Sequence, residues 1–205
     1  MKAQDLQHIA AGFTHEAFGS QAVFRAALDA LSHPGRLILM PTDCALPRHG
    51  QPAAAALLLG LLDADTTLWL SPALARSDTA IWLRFHTGCH IVAEANEAHF
   101  LWIALGDALP ALNTLRLGSD AYPDQSATCV IETLAVHADV AGWTLQGPGI
   151  PDQRQLQVNG LTPDFTHAWQ YNHASFPRGV DVLLTTPTHV VGLPRTTHIT
   201  HTQEA

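Results

Sequence analysis

Lysine is almost missing from this chain of 205 residues: of its ten basic residues nine are arginine, and the one lysine is Lys2, beside the N-terminus. A Walker A phosphate loop and a Schiff-base lysine both need an amine placed inside a site, so both chemistries are excluded. Charge is scarce too. Charged residues make up 14% of the chain, against ~25% in an average soluble protein, while hydrophobic residues reach 47%. Part of so apolar a surface is expected to face another protein. The basic residues form no block and the formal net charge is −8, which excludes tracking a phosphate backbone, so no nucleic acid partner is expected. Cys44, Cys89 and Cys129 are widely spaced and never form a CxxC pair. Neither a disulfide framework nor a thiolate zinc site follows, and a reducing compartment fits. Long hydrophobic runs are absent as well: the longest, Pro52 to Leu62, is about half a membrane span. Met1 to Ala11 lacks the apolar core of a signal peptide. A soluble cytoplasmic protein with no membrane segment is expected.

Histidine is the residue in excess, with 13 copies. Protonating all of them would move the charge from −8 to +5, so solubility should change steeply between about pH 7 and pH 5.

Helix and strand signals alternate along the first half. Ser20 is suited to cap a helix with Phe24, Leu28 and Leu31 on its apolar face, ended by Ser32 to Gly35. A strand is predicted at Arg36 to Met40, a helix from Pro52 to Leu62, a strand at Thr67 to Leu70 and a helix from Ser77 or Asp78 to His86. A strand follows at His90 to Ala93; the apolar run His99 to Leu105 is undecided, and Pro110 to Leu115 reads as a brief helix. Beyond the loop Gly118 to Gln125, a long buried strand is expected from Ala127 to Val136, then strands at Trp143 to Gln146 and Gln155 to Val158. Thr162 and Pro163 start a helix carrying Phe165, Trp169 and Phe176, and a hairpin of Val182 to Thr185 with Val190 to Leu193 follows. The pattern implies one domain, residues 1 to 205, of three-layer α/β/α class around a mixed sheet.

No metal set stands out. His86, Cys89 and His90 lie within five residues, but Gly88 would break the helix between them, and His198 and His201 sit in a tail expected to fray. Without lysine, an anion must be held by arginine forks, backbone amides or helix N-termini. Three arginines have distinctive contexts: Arg84 with His86 in Trp82-Leu83-Arg84-Phe85-His86, Arg178 between Pro177 and Gly179, and Arg195 followed by Thr196 and Thr197. Arg195 with its two hydroxyls reads as an outward-facing anion cradle or partner contact, or else as a strand-end arginine paired with Asp181.

Six segments in register carry a resemblance: Phe24 to Gly35, Leu61 to Leu70, Leu83 to Thr87, Gly147 to Ile150, Phe176 to Asp181 and Pro194 to His198. Together they resemble PhnH, a subunit of the bacterial carbon–phosphorus lyase system, from about residue 20 to residue 198. The resemblance implies phosphonate catabolism, a homodimer, and a core complex with PhnG, PhnI and PhnJ. It implies an assisting role in forming ribose 1-phosphonate 5-triphosphate from ATP and a phosphonate, with phosphonate or nucleotide as candidate ligands of this subunit. It also implies the fold of the large domain of pyridoxal-phosphate-dependent transferases without cofactor, and supplies no catalytic residue. The alternative is a stand-alone enzyme acting on a phosphorylated or phosphonate compound through an arginine-lined site across a dimer.

Overall fold

In a computed structural model, which describes residues 9–201, the chain builds two sheets. The strands are β1 (Ile38–Leu39), β2 (Thr67–Leu70), β3 (His90–Ile91), β4 (Phe100–Ile103), β5 (Thr128–Glu132), β6 (Ala135–Gln146), β7 (Arg154–Asn159), β8 (Asp181–Thr185), β9 (His189–Leu193) and β10 (His198–His201). The helices are α1 (Glu16–Ser32), α2 (Pro52–Leu61), α3 (Pro72–Ala75), α4 (Thr79–Thr87) and α5 (Phe165–Ala174). Seven strands form the main sheet in the order β1-β9-β8-β5-β4-β2-β3, and β10-β6-β7 form a second, antiparallel sheet. In the main sheet β3, β2, β4, β5 and β8 run parallel, while β9 returns antiparallel to both β8 and β1. The expected mixed sheet is present.

Alternation along each strand feeds two cores, since successive side chains leave opposite faces. Leu68, Trp102, Val130 and Leu183 join α1, α2 and α4 on one face. Leu101, Ile103, Cys129, Ile131, Val182 and Leu184 face Trp143, Leu145 and Leu156 of the small sheet and Phe165 and Trp169 of α5. The third layer is therefore α5 together with a three-stranded sheet, and not helices alone.

Several local expectations shift for identifiable reasons. α1 buries Val23, Ala26, Ala27 and Ala30, leaving Phe24 and Leu28 half exposed. Close approach decides this: a Cβ on Gly192 of β9 would lie 2.3 Å from the Ala30 carbonyl oxygen, so only the small-residue face of α1 fits against the sheet. The single strand expected over Ala127 to Val136 is two, because at Thr133 and Leu134 the chain leaves one sheet for the other. The Thr133 amide donates to the Thr185 carbonyl of the main sheet (2.8 Å), and the Leu134 amide to the Asn159 carbonyl of the small one (2.9 Å). The undecided run at His99 to Leu105 contains β4, in the middle of the main sheet, and Pro110 to Leu115 holds only a 3-10 turn at Leu112–Thr114. Phe176 falls beyond the end of α5 and is exposed. The tail expected to fray is β10, paired along its length with β6, with Ile199 fully buried. Gly88 does end α4, in the left-handed region at φ 73°.

Candidate functional site

The parallel strands give the main sheet an amino edge and a carboxyl edge, and the two are built differently. At the amino edge β8 opens with Asp181, β9 ends two residues before Arg195, and the 3-10 turn Pro123–Gln125 lies ahead of β5. Arg195 ties these together. Its amide and Nε donate to Asp181 Oδ1 (2.8 and 3.1 Å), and Nη2 donates to Asp181 Oδ2 (2.6 Å) and to the Ser126 hydroxyl. Nη1 donates to the Pro123 carbonyl (2.8 Å) and the Pro177 carbonyl (3.3 Å). A guanidinium has five N–H groups, and all five are taken within the chain. With side chains only 12% and 22% exposed, Arg195 and Asp181 are an internal ion pair. Of the alternatives open in the sequence, the Asp181 pairing is the one formed, and no N–H remains to cradle an anion.

Thr197 does not face outward either: it is fully buried and its hydroxyl has no partner among the described residues. Its carbonyl accepts from Trp169 Nε1 (2.8 Å), which fastens the segment to the stack of Trp143, Phe165 and Trp169. Thr196 lines a depression of about 300 Å³ with Pro123, Phe176, Pro177, Pro194 and Arg195. Its walls are apolar, the exposed ring of Phe176 is one of them, and the exposed Tyr122 precedes its lining residue Pro123 in the chain. Arg178 is exposed beside it, with Nε 3.3 Å from Asp120.

Arg84 and His86 lie elsewhere, on α4. Arg84 is exposed, whereas His86 Nε2 sits 2.9 Å from the Ala10 carbonyl with the rings of Trp82 and Phe85 edge-on to it. His86 and Phe85 line a groove of about 450 Å³ between α1, α2 and α4 that shares no residue with the depression at Arg195. Among the described residues no group of three His, Cys, Asp or Glu side chains is placed to hold a metal ion.

At the carboxyl edge the chain's own carboxylates occupy the loop amides. Glu132 is buried and accepts from the Gln51 amide ahead of α2 (2.5 Å), from Trp102 Nε1 (3.0 Å) and from the Leu105 amide (3.0 Å). Asp107 accepts from the Ala73 amide at the start of α3 (2.8 Å). Asp78 accepts from the Arg48 amide (2.8 Å) and lies 2.8 Å from His49 Nδ1. Burial pushes the Asp78 carboxyl up, but the Arg48 amide and the His49 ring outweigh it and hold the group below its usual 3.8. Open α/β sheets bind anionic ligands outside the carboxyl ends of their strands, where loop and helix amides converge. Here four of those loop amides, of Arg48, Gln51, Ala73 and Leu105, are taken by the chain's own carboxylates.

Sequence reasoning passed over Glu132, although a carboxylate closing the apolar run Cys129 to Ile131 is itself a signal of a buried acceptor. Arg116 and His99, 3.0 Å apart at the amino edge, carried no signal, because their meeting depends on β4 and β5 lying side by side.

The family model for a bacterial phosphonate metabolism protein, PhnH, matches residues 11–200. The chain belongs to the PhnH family. It is 37% identical over 201 residues to the "Alpha-D-ribose 1-methylphosphonate 5-triphosphate synthase subunit PhnH" of Rhizobium meliloti (strain 1021), covering 97% of this chain and 98% of that protein. It is 33% identical over 180 residues to a "Putative C-P lyase subunit protein HtxG" of Stutzerimonas stutzeri, covering 87% of this chain and 85% of the relative. Both relatives are named as subunits.

Proposed function

We propose that this PhnH-family chain is a non-catalytic, assisting subunit of the cytoplasmic carbon–phosphorus lyase core complex. It acts as one domain, forms a homodimer and joins PhnG, PhnI and PhnJ. In that setting it supports formation of ribose 1-phosphonate 5-triphosphate from ATP and a phosphonate. Near-complete alignment with a relative named as a synthase subunit carries this reading. The apolar depression at Phe176, Pro177, Pro194 and Thr196 supports it, with Arg195 as the staple that holds the walls and Arg178 on the flank. An exposed aromatic such as Phe176 in an apolar depression is what a partner protein buries best. A stand-alone phosphoryl enzyme fits less well, since Glu132 and Asp107 take the Gln51, Leu105 and Ala73 amides at the carboxyl edge.

The main sheet with its helical layer is read as the counterpart of the large domain of pyridoxal-phosphate-dependent transferases. Lys2, the chain's only lysine, lies outside the described residues. Titration with pyridoxal phosphate should give no borohydride-trappable adduct on any internal residue.

Co-expression with PhnG, PhnI and PhnJ tests the subunit reading. The chain should co-purify with them, and Phe176→Asp should reduce recovery at least about tenfold while the isolated variant melts as before, because an exposed position carries little folding energy. Failure of the unmodified chain to co-purify would refute the subunit reading, and full recovery with Phe176→Asp would move the contact elsewhere. Light scattering of the isolated chain should report a dimer.

A further inference from the structure

The outermost strands of the two sheets are very unequal. β1 and β3 flank the main sheet, and β10 and β7 flank the small one. An edge strand presents unpaired N–H and C=O groups, and proteins blunt such edges by shortness, charge, proline or a bulge. β1 and β3 have two residues each and β10 has four. β7 has six, with β6 on one side and no strand on the other among the described residues. From Gln155 to Asn159 it carries neither charge nor proline. Arg154, the one charged residue in β7, is turned to the Pro34 carbonyl (3.0 Å). The irregularity of this sheet lies on the inner strand: Ala138 and Trp143 of β6 both stand opposite Leu156, so β6 takes up the extra residues while β7 runs on unbroken. None of the usual devices keeps another strand away from β7.

The order of its side chains points to the occupant. In a dimer of two-fold symmetry, two copies of one edge strand pair antiparallel, and each residue meets the residue equally far from the axis on the other side. With Gln157 on the axis, Gln157 meets its own copy, Gln155 meets Asn159 and Leu156 meets Val158. Successive side chains leave opposite faces, so the carboxamides share one face and the aliphatic pairs the other. Leu156 is fully buried and Val158 packs against the core that Leu156 enters, so the aliphatic face is the core face in both copies. A carboxamide both donates and accepts, and amide against amide is therefore self-complementary, as an isologous contact requires. In this register Arg154 falls opposite Gly160 and Asp152 opposite Thr162, so no like charges meet. Moving the axis to Leu156 sets Arg154 against Val158, and moving it to Val158 sets Leu156 against Gly160.

We infer that β7 pairs with β7 of a second copy of this chain, centred on Gln157. This rests on the homodimer proposed above and names the surface that forms it. The two small sheets become one antiparallel sheet in the order β10-β6-β7-β7-β6-β10. None of the β7 residues lines the depression at Phe176, so the dimer contact and the subunit contact are different surfaces.

Cross-linking of the full-length chain tests the register. Directly opposed residues of an antiparallel pair have Cα atoms ~4.5–5.5 Å apart, within reach of a disulfide, whereas the two copies of Asn159 are offset by about 13 Å along the strands. Under mild oxidation Gln157→Cys should turn most of the dimer seen by light scattering into a covalent one. Asn159→Cys and the unmodified chain, with its own Cys44, Cys89 and Cys129, should not cross-link. Gln157→Lys and Gln157→Glu each set like charges face to face, so each should weaken dimerisation about fivefold or more, and an equal mixture of the two should restore it. Three results would overturn the β7 contact and leave the homodimer standing: a dimer that Gln157→Cys does not cross-link, equal cross-linking through Asn159→Cys, or charge variants that dimerise as the unmodified chain does. A monomer in light scattering would overturn both. None of these results bears on co-purification with PhnG, PhnI and PhnJ, so the dimer contact and the subunit reading fail separately.

Discussion

The two edges of the main sheet solve the same electrostatic problem with opposite charges. At the carboxyl edge, where loop amides converge, the chain supplies Glu132, Asp107 and Asp78 as its own anions. At the amino edge arginines tie the loops, with Arg195 satisfied by Asp181 and by backbone carbonyls. The carboxyl edge has thereby become a piece of structure. Its buried carboxylate takes loop amides at the place where an open α/β sheet of this kind binds a ligand. At the amino edge Arg116 meets His99 and no carboxylate among the described residues, and an apolar depression with Phe176 exposed at its rim lies at the Arg195 network. Function is more readily placed where the chain has left groups unsatisfied than where it has paired them.

Substitutions at the two edges sharpen that contrast. The largest effect should come from Glu132→Leu, which leaves Trp102 Nε1 buried without an acceptor and takes the acceptor from the partly buried Gln51 and Leu105 amides. At ~1–3 kcal/mol per stranded donor, the loss should be about 4 kcal/mol in a denaturant melt, with Glu132→Gln costing less because one oxygen remains. A variant that melts normally would mean that the carboxyl edge is not held by its carboxylate.

Arg195→Ala comes next. It strands Asp181 and frees two carbonyls, and since both side chains are mostly buried the cost should be about 3 kcal/mol. Arg195→Lys keeps the charge and loses the fork, so it should recover only part of this. A loss below about 0.5 kcal/mol would return Arg195 to the class of exposed residues free to bind a ligand.

Acid should loosen the carboxyl edge through Asp78. Its pKa is lowered in the folded chain, so its contribution is fully present above the unfolded value of 3.8 and is lost as pH falls through the lower, folded value. Hydrogen exchange of the Arg48 amide should therefore accelerate below about pH 4, and Asp78→Asn should remove the pH dependence. The smallest effect belongs to Arg178→Ala. Its ion pair with Asp120 is exposed on both sides, so stability should change by less than about 0.5 kcal/mol. A larger loss would show that the Arg195 network extends to Arg178.

Much of the architecture was legible in local chemistry. Pro52 opens α2, Gly88 closes α4, and the hairpin of β8 and β9 stands where its apolar runs place it. Period alone misled at α1, where Phe24 and Leu28 mark the longest apolar side chains but the alanine face fits β9. At Thr133 and Leu134 an unbroken β-favouring run conceals a change of sheet, because each half satisfies its amides on a different partner strand.

By itself the sequence determined the mixed α/β composition, the absence of an internal amine, the reliance on arginine, and membership in PhnH through motifs spread along the whole chain. Only the tertiary structure decided which arginines are spent and which are open. Arg195 and Arg116 look equally available along the chain, yet one meets the carboxylate of Asp181 from a neighbouring strand and the other meets the ring of His99. Hydrogen-bond capacity is consumed by partners distant in sequence, and what remains can be counted only after the strands have been laid side by side.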